Sequence, residues 1–507
     1  MTDPVHECDL LVVGGGINGT GIARDAAGRG LSVVLCEQHD LAAHTSSSST
    51  KLIHGGLRYL EHYEFRLVRK ALAEREVLLD AAPHIMWPLR FVLPHEPHLR
   101  PAWMIRAGLF LYDHLARRRR LPASETVDLR HHPAGAPLKE TERKGFVYSD
   151  GWVDDARLVV LNALDAHERG ARILTRTRCT RIVREHGAWS AALVAADGSR
   201  HSIRARAAVN AAGPWVGGFL DQATPIRARS AVRLVKGSHI IVPRLFEHGF
   251  AYIFQNIDRR IIFAIPYQHA FTLIGTTDVE YHGDPARATI GADEVTYLCE
   301  LASRYFTRAV TKADVVASYS GVRPLLEDES SDPSSVTRDY SFELDDDGPA
   351  LLSVFGGKIT TYRRLAEEAL AQLAPALGLK GGGWTHAATL PGGDMPGKDF
   401  EAFLAAQSAH YHGIGPSLLE RLARAYGTRL PNVLGGARSE MELGQPVLPG
   451  LYVAEIEYLR HSEWARTAED VLWRRSKLGL HLPADAPAVL ATWLEQHPLT
   501  AAPAALR

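Results

Sequence analysis

An open α/β sheet assembled from distant segments, with an inserted antiparallel sheet and a helical C-terminal domain, is the fold class that this 507-residue sequence predicts. Three observations predict it. Residues 10–37, LLVVGGGINGTGIARDAAGRGLSVVLCE, read in order as strand, glycine turn, helix, strand and acid. Residues 230–280 hold four apolar segments at hairpin-like spacing, SHIIVP, AYIFQN, RIIFAIP and FTLIGTTD. After the glycine-rich residues 378–398 the chain becomes alanine- and leucine-rich with helical periodicity, over 399–411, 416–427, 450–460 and 464–478.

The opening stretch carries the first functional signal. Leu10 to Val13 read as a short buried strand, and Gly14, Gly16 and Gly19 follow at dinucleotide spacing, with Gly15, Ile17 and Asn18 between them. Gly14 permits the turn, Gly16 lets the backbone approach a pyrophosphate, and Gly19 lets the helix pack on the strand. That helix, running to about Arg29, points its free N–H groups at the phosphates. A second strand, Leu31 to Cys36, ends at Glu37, whose carboxylate suits a ribose hydroxyl and disfavours a 2'-phosphate. FAD and NAD both remain open on this stretch.

Bulk composition narrows the class. Hydrophobic content of 46% and charged content of 23% are those of a soluble globular protein, and a net charge of −1 gives no pull toward nucleic acid. The four cysteines show no CxxC pair, which reads as reduced thiols, and no His, Cys and carboxylate set has metal spacing, so no metal site is expected. The N-terminal MTDPVHECDL lacks the features of a signal peptide or presequence, and no uninterrupted apolar run reaches spanning length. Residues 51–120 nevertheless hold 13 Lys plus Arg against 7 Asp plus Glu.

HTSSSSTKLIHGGLRYL, residues 44–60, follows Glu37, so its loop returns toward the cofactor, with Thr45, Ser46 and Ser47 as contacts. A helix is expected from about Glu64 to Ala81. Prolines 88, 94, 97 and 101 then read as breaks in regular structure. Ala102 to Ala116 carries Trp103 and Phe110 and is flanked by Arg100, Arg106 and Arg117 to Arg120; it suits a membrane interface or a core helix equally. RAAVNAAGPWV, from Arg206, is a buried strand ending near Gly213. LLSVFGGKITTYRRLAEEAL repeats the opening architecture, with strand Leu351 to Phe355, Gly356 and Gly357, and a helix from about Thr360.

Taken together, GGGINGTGIARDAAGRGL, SSSSTKLIHGGLRYLE, YSDGWVDDARL, NAAGPW, KGSHI, IGTTDVEY, YSGVRPL, TRDY and LLSVFGGKITTYRRLAE resemble the FAD-dependent, aerobic glycerol-3-phosphate dehydrogenases over the first 370 or so residues. The tail is similar more weakly, around TAEDVLWRRSKLGL. The resemblance implies FAD as cofactor and a Rossmann-like, D-amino-acid-oxidase-like flavin domain built from residues 1–90, 145–228 and 315–385. It further implies a membrane-interface segment at 91–144, a substrate (cap) domain at 229–314 and a C-terminal helical domain at 386–507. It implies oxidation of sn-glycerol 3-phosphate to dihydroxyacetone phosphate with electrons passed to membrane quinone, the alternative being an oxidase that uses oxygen and releases peroxide. The expected place is the cytoplasmic face of the inner membrane, with residues 100–120 on the membrane surface. A homodimer is an open expectation.

Within the matched motifs, Arg58, Arg323, Arg338 and Lys358 are the cations suited to a phosphate dianion. Arg58 and Arg338 are assigned to the phosphate, and Arg323 to the developing alkoxide. Lys358 and Thr360, beside Gly357, face flavin or substrate. The base is His239 or His54, with His239 preferred because it enters a strand of the inserted sheet. Tyr59 is a further substrate contact.

Overall fold

The computed structural model describes residues 5–96, 100–139, 144–256, 260–326 and 339–499. An eight-stranded sheet forms the first half of the molecule. Its spatial order is Ser341–Asp345, Leu351–Phe355, Arg200–Asn210, Val5–Val13, Val33–Cys36, Arg172–Leu174, with a hairpin of Thr177–Glu185 and Ala188–Ala195 joined to Arg200–Asn210. Pairing is parallel around the opening strand, from Leu10↔Val33 on one side to Val13↔Asn210 on the other. Alternation sets its two faces: Leu10 and Val12 join one core layer, Leu11 and Val13 the other.

Helix Ile17–Gly28 packs against helices Asp155–Glu168 and Tyr362–Leu377. Small residues make this possible, since a Cβ on Gly21 would lie 2.8 Å from the Tyr362 ring. The expected start at Glu64 and the return of a strand–glycine–helix unit after Leu351 both match, with helix Phe65–Ala81 and strand Leu351–Phe355. A 3-10 turn, Ile359–Thr361, precedes helix Tyr362–Leu377.

The second sheet has ten strands and is larger than the expected insertion at 229–314. Besides Val232–Pro243, Ala251–Gln255, Ile261–Tyr267 and Phe271–Gly275 it takes in Met86–Pro94, Lys144–Val153 and Ala317–Leu326. Two expectations therefore change. Residues 91–94 and 125–128 are strand residues of this sheet, not part of a separate interface segment, and Pro88 and Pro94 do not break the chain. Met86–Pro94 pairs along its whole length with Lys144–Val153, but on its other edge pairs only at Phe91 and Val92. The prolines fall outside that short ladder, where a missing N–H costs nothing.

The C-terminal domain has its own core around Leu422, Leu430, Leu459 and Val471. Helices Phe400–His410, Pro416–Tyr426 and Val453–Ser462 lie where periodicity placed them. The helix expected over 464–478 is reduced to one wide turn, Asp470–Arg475. Electrostatics account for the change. Arg474 and Arg475 both reach the buried Asp40 at 2.7 Å, and Asp470 accepts the backbone N–H groups of Arg466 and Thr467. The domain is thereby fastened to the loop after Glu37.

Candidate active site

One end of the site is made mainly of backbone. Gly14 (φ +114°) turns out of the opening strand so close to its neighbour that a Cβ would sit 2.4 Å from the Ala211 carbonyl oxygen. A Cβ on Gly19 would lie 1.9 Å from the Gly14 oxygen. Above them opens a cavity of about 500 Å³, lined by Gly14, Gly16, Glu37, Thr45, Ser46 and Gly213 among others. Ser46 Oγ accepts the Ile17 N–H at 3.0 Å, and Thr45 donates to the Val322 carbonyl at 2.7 Å, so the serine-rich loop does return to the glycine turn. Ser47 Oγ donates to the His44 carbonyl at 3.2 Å, across the same short turn.

Glu37 accepts the N–H groups of Gly15 and His39, each at 2.7 Å, while burial pushes its carboxyl up from the usual range. The second glycine junction meets the first directly. Asn18 Nδ2 donates to the Gly356 carbonyl at 3.1 Å, and a Cβ on Gly357 (φ +104°) would crowd that amide at 3.0 Å. The Asn18 Oδ1 atom is buried and has no partner among the described residues. A helix N-terminus and a glycine floor beside a cavity fit a dinucleotide pyrophosphate, whereas the unfilled Asn18 oxygen suits a hydroxyl donor of the ribose or ribityl chain.

The other end is made of side chains. His239, on strand Val232–Pro243, lies opposite Gly275 and Tyr319. A Cβ at Gly275 would stand 2.2 Å from the imidazole, and the Tyr319 ring stacks on it with centroids 4.8 Å apart. His239 Nε2 shares a hydrogen bond with Thr50 Oγ1 at 3.0 Å. Burial, with the positive charges of Lys51 and Arg323, pushes its pKa down to about 3, so the ring is neutral near pH 7. Its Nδ1 has no partner among the described residues.

Arg323 donates to the Asp278 carboxylate at 2.5 Å and to the Thr277 carbonyl at 3.2 Å. It is thus a held, half-neutralised donor. Lys358 lies over the Tyr59 ring at 3.9 Å, and the His54 N–H donates to Thr360 Oγ1 at 3.2 Å, which ties the His54–Tyr59 loop to the second glycine junction. Arg58 is half-buried and makes no ion pair among the described residues. Arg338 lies outside the described residues.

Sequence reasoning passed over Thr50, Lys51, Tyr319 and Asp278. Lys51 is buried, donates to Asp155 at 2.8 Å and to the Ser47 carbonyl at 3.0 Å, and Tyr319 donates to the Ser49 carbonyl at 2.8 Å. The available signal was a lysine and an aspartate inside two separately quoted motifs, SSSSTKLIHGG and YSDGWVDDARL.

On the outside, helix Ala102–His114 leaves Trp103 70% and Phe110 58% exposed. The arginine run beside it is partly paired: Arg119 and Arg120 share Asp80 at 3.6 and 2.6 Å, and Arg118 lies 3.7 Å from Asp113, which leaves the run net positive. Among the described residues no helix is long and apolar enough to cross a membrane.

Known proteins are similar to this chain in sequence and in fold. A family model described as FAD dependent oxidoreductase matches residues 9–363, and one described as the C-terminal domain of alpha-glycerophosphate oxidase matches residues 384–495. A glycerol-3-phosphate dehydrogenase of Pseudomonas aeruginosa is 57% identical over 97% of this chain and 96% of its own length. A D-erythritol 1-phosphate dehydrogenase of Brucella abortus is 51% identical over 99% of this chain and 100% of its own. Among solved structures, the glycerol-3-phosphate dehydrogenase of Bacillus halodurans complexed with FAD aligns at a TM-score of 0.77 and 27% identity, covering 97% of this chain and 90% of that one.

Proposed function

The chain belongs to the FAD-dependent glycerol-3-phosphate dehydrogenase family of oxidoreductases, and from that premise we propose that its site oxidises the C2 alcohol of sn-glycerol 3-phosphate to dihydroxyacetone phosphate and passes the electrons to membrane quinone. The observation that supports this reading is a buried neutral imidazole, His239, in the field of a held arginine, Arg323, whose chain neighbour Pro324 lines the dinucleotide cavity. FAD, when bound, supplies the two-electron acceptor.

The protein residues manage the rest. Glu37, Gly14 to Gly19 and the Thr45–Ser47 turn hold the nucleotide end, and Gly357 and Thr360 shape the other. Arg58 and Lys358 supply positive charge for the phosphate, with Arg338 assigned to it on sequence alone. His239 takes the C2 hydroxyl proton. Arg323, kept in place by Asp278, faces the charge developing on that oxygen. His54 is the alternative base.

Anaerobic addition of glycerol 3-phosphate to the FAD-loaded protein should bleach the flavin, and absence of bleaching would sink the reading. Reoxidation by a soluble quinone analogue against formation of peroxide in air separates the dehydrogenase from the oxidase alternative, which the C-terminal family model keeps in view. The Brucella relative gives a second substrate to compare, D-erythritol 1-phosphate, by kcat/KM.

The exposed Trp103 and Phe110 support attachment of helix Ala102–His114 to the inner face of the membrane. The arginine run, four cations facing the two carboxylates of Asp80 and Asp113, adds attraction for anionic lipid. Trp103→Ser with Phe110→Ser should release the protein from vesicles containing anionic lipid; unchanged sedimentation would count against it.

A further inference from the structure

Helix Ala102–His114 has two unlike faces. Trp103 and Phe110 point outward, whereas Tyr112 is buried. The Tyr112 hydroxyl accepts the Gly55 N–H at 2.8 Å and donates to both oxygens of Asp150, at 2.8 and 3.0 Å. Asp150 is anchored in turn by Arg75 Nη1 at 2.6 Å. Burial and the Asp150 charge hold the Tyr112 phenol well above its ordinary pKa, so the donor proton stays in place. Gly55 is fitted to this approach, since a Cβ there would lie 2.7 Å from the hydroxyl and 2.4 Å from Leu72 Cδ2.

Directly after Gly55, Gly56 (φ +76°) opens the 3-10 turn Leu57–His62, which carries Arg58 and Tyr59. On the other side of Gly55, the His54 N–H is bound to Thr360. The loop is therefore pinned at two successive amides, one to the second glycine junction and one to Tyr112. We propose that Tyr112 is a positioning residue for the substrate site, its hydroxyl holding the Gly55 N–H and so setting where Arg58 and Tyr59 stand. The same helix bears the exposed apolar face, so the element that would meet the bilayer is tied by one hydroxyl to the substrate loop. The inference rests on the reading of Arg58 and Tyr59 as substrate contacts.

Packing alone predicts otherwise, because a phenylalanine fills the same space. In Tyr112→Phe the Gly55 N–H keeps only the Asp150 oxygen at 3.3 Å, and the loop relaxes toward it. The test is steady-state kinetics on the FAD-loaded full chain, with Arg58→Met as reference. We expect Tyr112→Phe to raise KM for glycerol 3-phosphate roughly tenfold with kcat within about twofold of the parent. FAD content should be unchanged, and backbone amide exchange over residues 52–60 should be faster than in the parent. An unchanged KM in Tyr112→Phe beside a raised KM in Arg58→Met overturns the positioning role alone. An unchanged KM in Arg58→Met overturns the reading of the loop and this inference with it. Loss of FAD or of the fold in Tyr112→Phe also overturns it, since the hydroxyl then serves the fold rather than the loop.

Discussion

The nucleotide end and the substrate end of the site are built from different materials. At the first, glycines bring backbone against backbone, Gly19 on Gly14 inside one 28-residue stretch and Gly14 on Ala211 just after the neighbouring strand, and the acid that closes it follows in the same unit. At the second, His239, Arg323, Lys358 and Thr50 come from four segments up to 308 residues apart, and each is aimed by a side-chain or backbone partner. The lesson is that a backbone-made site fails as a whole when crowded, whereas a side-chain-made site can lose one function and keep its shape.

The sharpest break of that contrast is Gly19→Val. Its Cβ would overlap the Gly14 carbonyl, and no rotamer relieves a backbone clash, so we expect protein without bound FAD or no folded protein, read by flavin absorbance of the purified chain. Next, Arg475→Met leaves the buried Asp40 carboxylate to Arg474 alone and loosens the C-terminal domain. A loss of about 1.5–3 kcal/mol in stability, measured by denaturant unfolding, is expected. If FAD retention survives that loss unchanged, the nucleotide end is independent of the domain clamped to it.

Arg323→Met probes the opposite material. We expect kcat to fall by about 10²–10³ while FAD remains bound. Loss of FAD there would erase the distinction between the two ends.

A pH scan gives a smaller, graded effect. Burial lowers His84 and His239 to about 3 and His44 to about 4, all below the roughly 6.5 of an unfolded chain. Depressed histidines stabilise the fold fully above pH of about 6.5, and that contribution is lost as pH falls through the window toward 3, because the unfolded chain then binds more protons. The thermal midpoint should drop over that window, and less steeply in His84→Gln. An identical slope in the variant would show that His84 is not among the groups responsible. Smallest of all, Arg119→Gln removes an exposed pair at 3.6 Å and should change stability by no more than about 0.5 kcal/mol.

How much was legible follows the same division. Gly14, Gly19 and Glu37 could be read because local spacing dictates a backbone turn, and the structure puts them where that spacing implies. Arg323 could be named, but its pairing with Asp278 could not, because the partner arrives from a separate strand-end loop. The wide turn at Asp470–Arg475 was read as ordinary helix, since periodicity does not register that Asp40, more than 400 residues away, draws two successive arginines to one carboxylate. The proline-bearing strand Met86–Pro94 was missed for a related reason: whether a missing N–H matters depends on which edge the neighbouring strand occupies.

By itself the sequence determined the elements whose causes are local: the glycine turns, the alternating strands, the helical tail and the family to which their motifs are similar. Tertiary structure alone decided which strands share the second sheet, that Asn18 joins the two glycine junctions, that Lys51 lies buried on Asp155, and that Tyr112 reaches Gly55. The physical reason is that burial, charge pairing and hydrogen-bond satisfaction belong to positions in space, and neighbours in space are not neighbours along the chain.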